Sequence, residues 1–190
     1  MMIGTWPAAL GLMLSLAAPN PWVTVSHPDY TQQADNTCAP TSAAMTLASM
    51  GVHESPASLA KAMRTNGPGT SWADFQRVYN ADQPKGWTLT SVRVDTPAQL
   101  LSDLSRDVSH GVAVPEGVMV NEVPYWSKIP SDAPHVIVVD GVDLRDKRVR
   151  VYDPWYGKTE HGSHTLTAAQ LFGALETVNG VHGTVIDIPS

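Results

Sequence analysis

A single cysteine, Cys38, occurs in 190 residues, so no disulfide can form within the chain and this side chain is a free thiol. Basic residues are scarce as well. Twelve Lys and Arg stand against eighteen Asp and Glu, the net charge is −6, and Lys61 is the first positive residue. The tightest basic group, Arg145, Lys147, Arg148 and Arg150, falls in a predicted hairpin turn, where a solvated face is its default role. It is too small to neutralise a phosphate backbone, which excludes nucleic acid as a partner. Phosphate loops, internal repeats and low-complexity tracts are missing. His161 and His164 sit in a polar Gly/Ser stretch with no cysteine partner and no helical spacing, so neither a metal nor another cofactor is expected.

Long hydrophobic runs are also wanting. Met1–Ala18 is apolar, but it is too short and too broken by Pro7 and Gly11 to span a membrane. Its centre, Leu10–Leu16, and the small-x-small pattern Ser15-Leu16-Ala17 resemble a secretory signal, while the lack of any Lys or Arg ahead of it leaves a buried first helix as the alternative. The expected location is therefore secreted or cell-envelope, or cytoplasmic if the segment is not a signal. One unpaired cysteine is compatible with export when the thiol is reactive. Residues 19–190, in a chain that is 43% hydrophobic with no change of composition regime, are expected to form one domain.

What the chain does hold is concentrated around the cysteine. Gln32-Gln33-Ala34-Asp35-Asn36-Thr37 is a polar turn, and Cys38-Ala39-Pro40 opens an alanine-rich apolar run. Pro40 belongs near a helix start, which places Cys38 in the first turn, where the partial positive charge of the helix terminus favours a thiolate. A merely buried cysteine needs no such polar approach. Downstream, His135 opens the strand-like run Val136–Val139, and Val149–Tyr152 forms a second strand ending at Asp153. Folding the chain back about Arg145 and Asp146 brings Asp153 near His135. Asp140 and Asp143 are weaker partners because they lie further toward the turn. Gln32, six residues ahead of the cysteine, is the candidate oxyanion donor, and Gln33 should point elsewhere.

The coarse pattern is α+β: helices over Pro40–Met50, Ser55–Arg64 and from Thr70 or Ser71 to Tyr79, a strand at Thr88–Val94, a helix at Thr96–Val108 and a strand at Val112–Val120. The hairpin follows, then a helix from Leu166-Thr167 to Leu175 and a closing strand His182–Ile188. Tyr125-Trp126 and Trp155-Tyr156 flank the two partner residues, as cleft lining or as core.

Three segments, Gln32–Leu47, His135–Asp143 and Asp153-Pro154-Trp155-Tyr156-Gly157, resemble the papain-like cysteine peptidases related to the bacteriocin-leader (double-glycine) processing peptidases, in their stand-alone form. The resemblance spans roughly residues 28–190. It implies a papain-like fold in which a helical first half carrying the nucleophile packs on an antiparallel sheet. It further implies Cys38 as nucleophile, His135 as general base and acid, Asp153 as orienting carboxylate, Gln32 as oxyanion donor and a peptide or protein substrate. Ala39 departs from the glycine that family members usually carry there, which narrows the space beside the thiol. The same constellation serves a peptidoglycan amidase or an acyl transferase, and a catalytically idle binding module on this fold is the alternative from another class.

Overall fold

The computed structural model describes residues 20–126, 132–157, 159–175 and 184–187; the apolar segment Met1–Ala18 lies outside them. Helix α1, Cys38–Ser49, begins at the cysteine itself. Its residues from Ala39 to Leu47 are all buried, which their small side chains permit, since a helix enclosed on every side must let its neighbours approach closely. Gly51 at φ 81° ends it in the left-handed region open to glycine. Ser55 caps α2, Pro56–Ala62, by accepting from the Ser58 N–H, and Ser71 caps α3, Trp72–Asp82, by accepting from the Asp74 N–H. Helix α3 outruns its expected end at Tyr79 because nothing breaks it until Gln83, which is held extended ahead of Pro84. Thr96 caps α4, Pro97–Ser109.

The second half is mainly sheet. Strand β4, Pro134–Asp143, is central. Along one edge it pairs antiparallel with β3, Val114–Met119, over its first half and with β1, Trp22–Thr24, over its last three residues. On the other edge lies β5, Arg148–Asp153, and beyond it β6, Gly162–Thr167. A separate pair joins β2, Thr88–Ser91, to β7, Thr184–Asp187. The hairpin turn between β4 and β5 falls where the charged segment predicts it, with Lys147 at φ 52°.

Two expectations need correction. The His161–His164 stretch is not a loop: Gly162–Thr167 pairs residue for residue with Asp153–Arg148, because β5 has an open edge that these short polar side chains satisfy. Leu166 therefore belongs to β6, and α5, Ala168–Ala174, starts later, with Thr167 and Gln170 forming a capping box. Strand β1 has too few residues to announce itself by periodicity.

Apolar side chains gather in two clusters. One joins the sheet to α4 and α5 through residues such as Leu104, Ile137, Val151 and Leu171. The other is helical, with Leu47, Leu59, Met63, Phe75 and Tyr79 around α1, and reaches the sheet at Val136. Helix α1 therefore lies against β4, and the buried Ser42 hydroxyl donates to the Val136 carbonyl at 2.9 Å. Among the described residues no helix is long and apolar enough to cross a membrane.

Candidate active site

Cys38 is the first residue of α1, and the loop before it is folded on Thr37, whose hydroxyl accepts from the backbone N–H groups of Gln33 and Ala34 at 3.1 and 3.0 Å. That hydroxyl is thereby diverted from capping α1, and the first turn of α1 carries no acidic side chain. The terminal N–H groups and their partial positive charge are left for the thiol. Pro40 is harmless here, since the N–H it removes belongs to the first turn, which has no intrahelical acceptor.

The register of the β4–β5 hairpin decides the histidine's partner. Val138 pairs with Tyr152, so one step further Ile137 faces Asp153, and His135 and Asp153 become diagonal neighbours on one face. The His135 Nε2–H donates to Asp153 Oδ1 at 2.8 Å. With Nε2 occupied, Nδ1 is the nitrogen left for the Cys38 thiol, to which the imidazole is hydrogen-bonded. Asp140 and Asp143 go elsewhere. Asp140 lies at a register shift between Val139 and Gly141 and binds Arg150 Nε at 2.7 Å and His27 Nε2 at 3.2 Å. Asp143 binds Arg148 Nη2 at 2.8 Å across the turn.

Asp153 is wholly buried, 0% exposed, and is held by four donors. Besides His135, the Trp155 backbone N–H donates to Oδ1 at 2.9 Å, while Trp126 Nε1–H at 2.9 Å and the Tyr125 hydroxyl at 3.1 Å donate to Oδ2. The two aromatic donors sit on a 3-10 turn, Pro124–Trp126, and the sequence showed only that aromatic residues flank the site. Trp126 and Trp155 also wall the imidazole, with ring centroids 5.2 and 6.2 Å from it. The turn after Asp153 needs Gly157, because a Cβ there would lie 2.7 Å from the Trp155 indole. Next to it, the Tyr156 hydroxyl donates to Asp35, strapping this turn to the loop ahead of Cys38.

The charges follow from this geometry. Burial pushes the Cys38 thiol up, but the His135 imidazolium and hydrogen bonds from His135 and the Val136 and Ala39 N–H groups outweigh it and hold the thiol below its ordinary value. Burial pulls His135 down, and the Asp153 carboxylate and the thiolate raise it to about 10. Asp153 is pushed up by burial and brought below the usual carboxylate range by His135 and the indole and backbone donors. With the thiol held below its ordinary value and the imidazole raised above its own, the arrangement favours a thiolate–imidazolium pair over the neutral thiol and imidazole.

Gln32 is turned inward, 2% exposed, and its backbone N–H donates to the Pro154 carbonyl at 2.8 Å, beside Asp153. One side-chain N–H is taken by the Ala34 carbonyl at 2.8 Å, and Oε1 is buried without a hydrogen-bond partner among the described residues. Gln33 is exposed and bonds the Thr31 carbonyl. A cavity of about 120 Å³ opens on the thiol, lined by Cys38, Ala39, His135, Asp35, Trp72 and Phe75 among others. A larger groove, between α4, the β4–β5 turn and the start of α5, shares none of these residues. His161 and His164 do not act together: His161 meets the Tyr152 hydroxyl, and His164 bonds the Glu160 carbonyl.

The profile of the Peptidase_C39-like family matches residues 25–178. The chain belongs to that family of cysteine peptidases. Solved structures share the C39 papain-like fold at low identity. A double glycine motif protease from an AMS/PCAT transporter, determined in complex with a leader peptide, is 12% identical with a TM-score of 0.54, over 86% of this chain and 92% of that one. The peptidase domain of Streptococcus ComA, a bifunctional ABC transporter involved in quorum sensing, is 16% identical with a TM-score of 0.52, over 83% and 94%. A protein described as a C39-like peptidase from Bacillus anthracis is 16% identical with a TM-score of 0.56, over 80% and 91%. No curated protein sequence matches the chain. The C39-like fold is thus shared along most of the chain.

Proposed function

We propose that this C39-like chain is a working cysteine peptidase that cleaves peptide bonds through Cys38, His135 and Asp153. The observation that carries the reading is the continuous line of contacts from a helix-terminal thiol through the imidazole to a buried carboxylate held by four donors. An idle binding module has no use for a buried charged network that costs desolvation energy to assemble.

The Cys38 thiolate attacks the substrate carbonyl carbon, forming a C–S bond while the carbonyl electron pair moves onto oxygen. The Cys38 N–H at the helix terminus, with the second N–H of the Gln32 amide, is suited to receive that oxyanion. As the tetrahedral intermediate collapses, the C–N bond breaks and the His135 imidazolium gives its proton to the leaving amine. Water then attacks the thioester with His135 taking a proton, the C–S bond breaks, and an acid and the thiolate are released. Asp153 keeps Nε2 protonated and Nδ1 facing the sulfur throughout. Support for a peptide as substrate comes from the family and from the leader-peptide complex of the similar double glycine motif protease.

The test is trapping. Incubation with a peptide library followed by acid quench and mass mapping should place an acyl adduct on Cys38. Cys38→Ala and His135→Ala should lose turnover by at least about a thousandfold with the fold intact by circular dichroism. Undiminished turnover by Cys38→Ala would end the reading, and products carrying an added amine in place of water would redirect it to acyl transfer.

A further inference from the structure

Asp153 has two carboxylate oxygens, and the proposed mechanism uses one. Oδ1 serves His135, while Oδ2 is occupied by Trp126 Nε1–H at 2.9 Å and the Tyr125 hydroxyl at 3.1 Å. Both donors come from adjacent residues of one short 3-10 turn, so this element contributes two hydrogen bonds to a single buried oxygen. Tyr125 is itself held: its ring stacks on His164 of β6 with centroids 3.7 Å apart and planes within 6°. His164 is in turn anchored to the Glu160 carbonyl at 2.7 Å. An unanchored carboxylate could rotate about its Cβ–Cγ bond and present either oxygen, at any tilt, to the imidazole. Two donors on Oδ2 and a backbone N–H on Oδ1 remove that freedom.

We infer that Tyr125 and Trp126 are positioning residues that act through Asp153, fixing the carboxylate as an anion with Oδ1 on His135 and so maintaining the thiolate at Cys38. The inference rests on the peptidase reading above. The titratable groups facing Asp153 are His135 from β4 and Tyr125 from the 3-10 turn; Cys38 stands behind His135, and His164 lies on the far face of Tyr125. Loss of a donor to Oδ2 makes the anion less favourable, so Asp153 takes up a proton at higher pH and the imidazolium loses its partner there. The acid limb of thiolate formation must then move up.

Alkylation of Cys38 by iodoacetamide across pH reads that limb without any substrate. Tyr125→Phe keeps the ring on His164 and deletes only the hydroxyl. Its acid limb should rise by about one pH unit, the size expected for losing one hydrogen bond to a charged group, and kcat should fall about tenfold with KM little changed. Trp126→Phe should shift the limb in the same direction. In an Asp153→Asn background, Tyr125→Phe should produce no further shift. A Tyr125→Phe protein with lowered thermal stability and an unmoved acid limb, or an equal shift in the Asp153→Asn background, would show a merely structural role and overturn the inference. If the unmutated protein alkylates only in the ordinary thiol range, the peptidase reading fails and this inference with it.

Discussion

Gln32 and Gln33 are the same residue type in adjacent positions, and the fold treats them as opposites. Gln32 is buried and tied to the Asp153-Pro154 turn, whereas Gln33 lies outside on the Thr31 carbonyl. The Gln32 amide spends one N–H on the Ala34 carbonyl and keeps a second N–H for another acceptor. An oxyanion donor acts mainly in the transition state. Gln32→Ala should therefore lower kcat by roughly a hundredfold with KM nearly unchanged, and Gln33→Ala should leave both within about twofold. Steady-state kinetics on one peptide substrate checks this, and equal effects of the two substitutions would remove Gln32 from the oxyanion role. Cys38 and His135 stand out in the sequence through their neighbours: a polar turn before a helix start, which a merely buried cysteine does not need, and a run of β-branched residues that the histidine opens.

Between elements, the coupling of α1 to β4 matters most, because one carries the thiol and the other the imidazole. Ser42 lies one turn along from Cys38 and bonds the carbonyl of Val136, the residue after His135. The Val136 N–H in turn faces the thiol. Ser42→Ala removes this tie at the cost of leaving a buried carbonyl with one partner fewer, a loss of about 1 kcal/mol in unfolding free energy. Since the spacing of helix and strand is also loosened, kcat should fall several-fold more than stability alone explains, as the thiol and imidazole no longer meet at a fixed distance. Denaturant unfolding paired with kinetics measures both; a stability loss with unchanged kcat would show that packing of Ala43 and Ala44, both fully buried, positions the helix without Ser42.

At the scale of the whole molecule, the buried charges link stability to pH. His135 is raised above its ordinary 6.5 to about 10, so folding contributes stability through it that is fully present below 6.5 and lost as pH rises through about 10. Cys38 has the opposite sign: its thiol is held below its ordinary 9.0, so its contribution is present above 9.0 and lost as pH falls through the lowered value. Between the lowered thiol value and pH 9 the extra proton on the imidazole is balanced by the missing proton on the thiol, and there the parent protein should be flatter in stability than a variant without the thiol. Cys38→Ala removes the balance while Asp153 still raises His135. This variant should lose stability as pH rises from 6.5 toward 9, with a limiting slope of about 1.4 kcal/mol per pH unit. Urea unfolding at pH 6.5, 7.5 and 8.5 decides it, and identical pH slopes for parent and variant would contradict the ion pair.

Local order determined much of this protein in advance. Capping serines and threonines ahead of α2, α3, α4 and α5, Pro56 and Pro97 at helix starts and the charged turn between β4 and β5 are interactions within a few residues, and the chain displays them directly. The hairpin likewise pointed to Asp153 ahead of Asp140 and Asp143, and strand register, with the shift after Val139, puts that carboxylate on one face with His135. Tertiary structure alone decided two things. It made a strand of the polar Gly162–Thr167, because the demand came from the unpaired edge of β5 rather than from these residues' own propensities. And it turned Tyr125 and Trp126 from aromatic neighbours into donors to Asp153, since a hydrogen bond between groups 27 and 28 positions apart leaves no trace in periodicity or spacing.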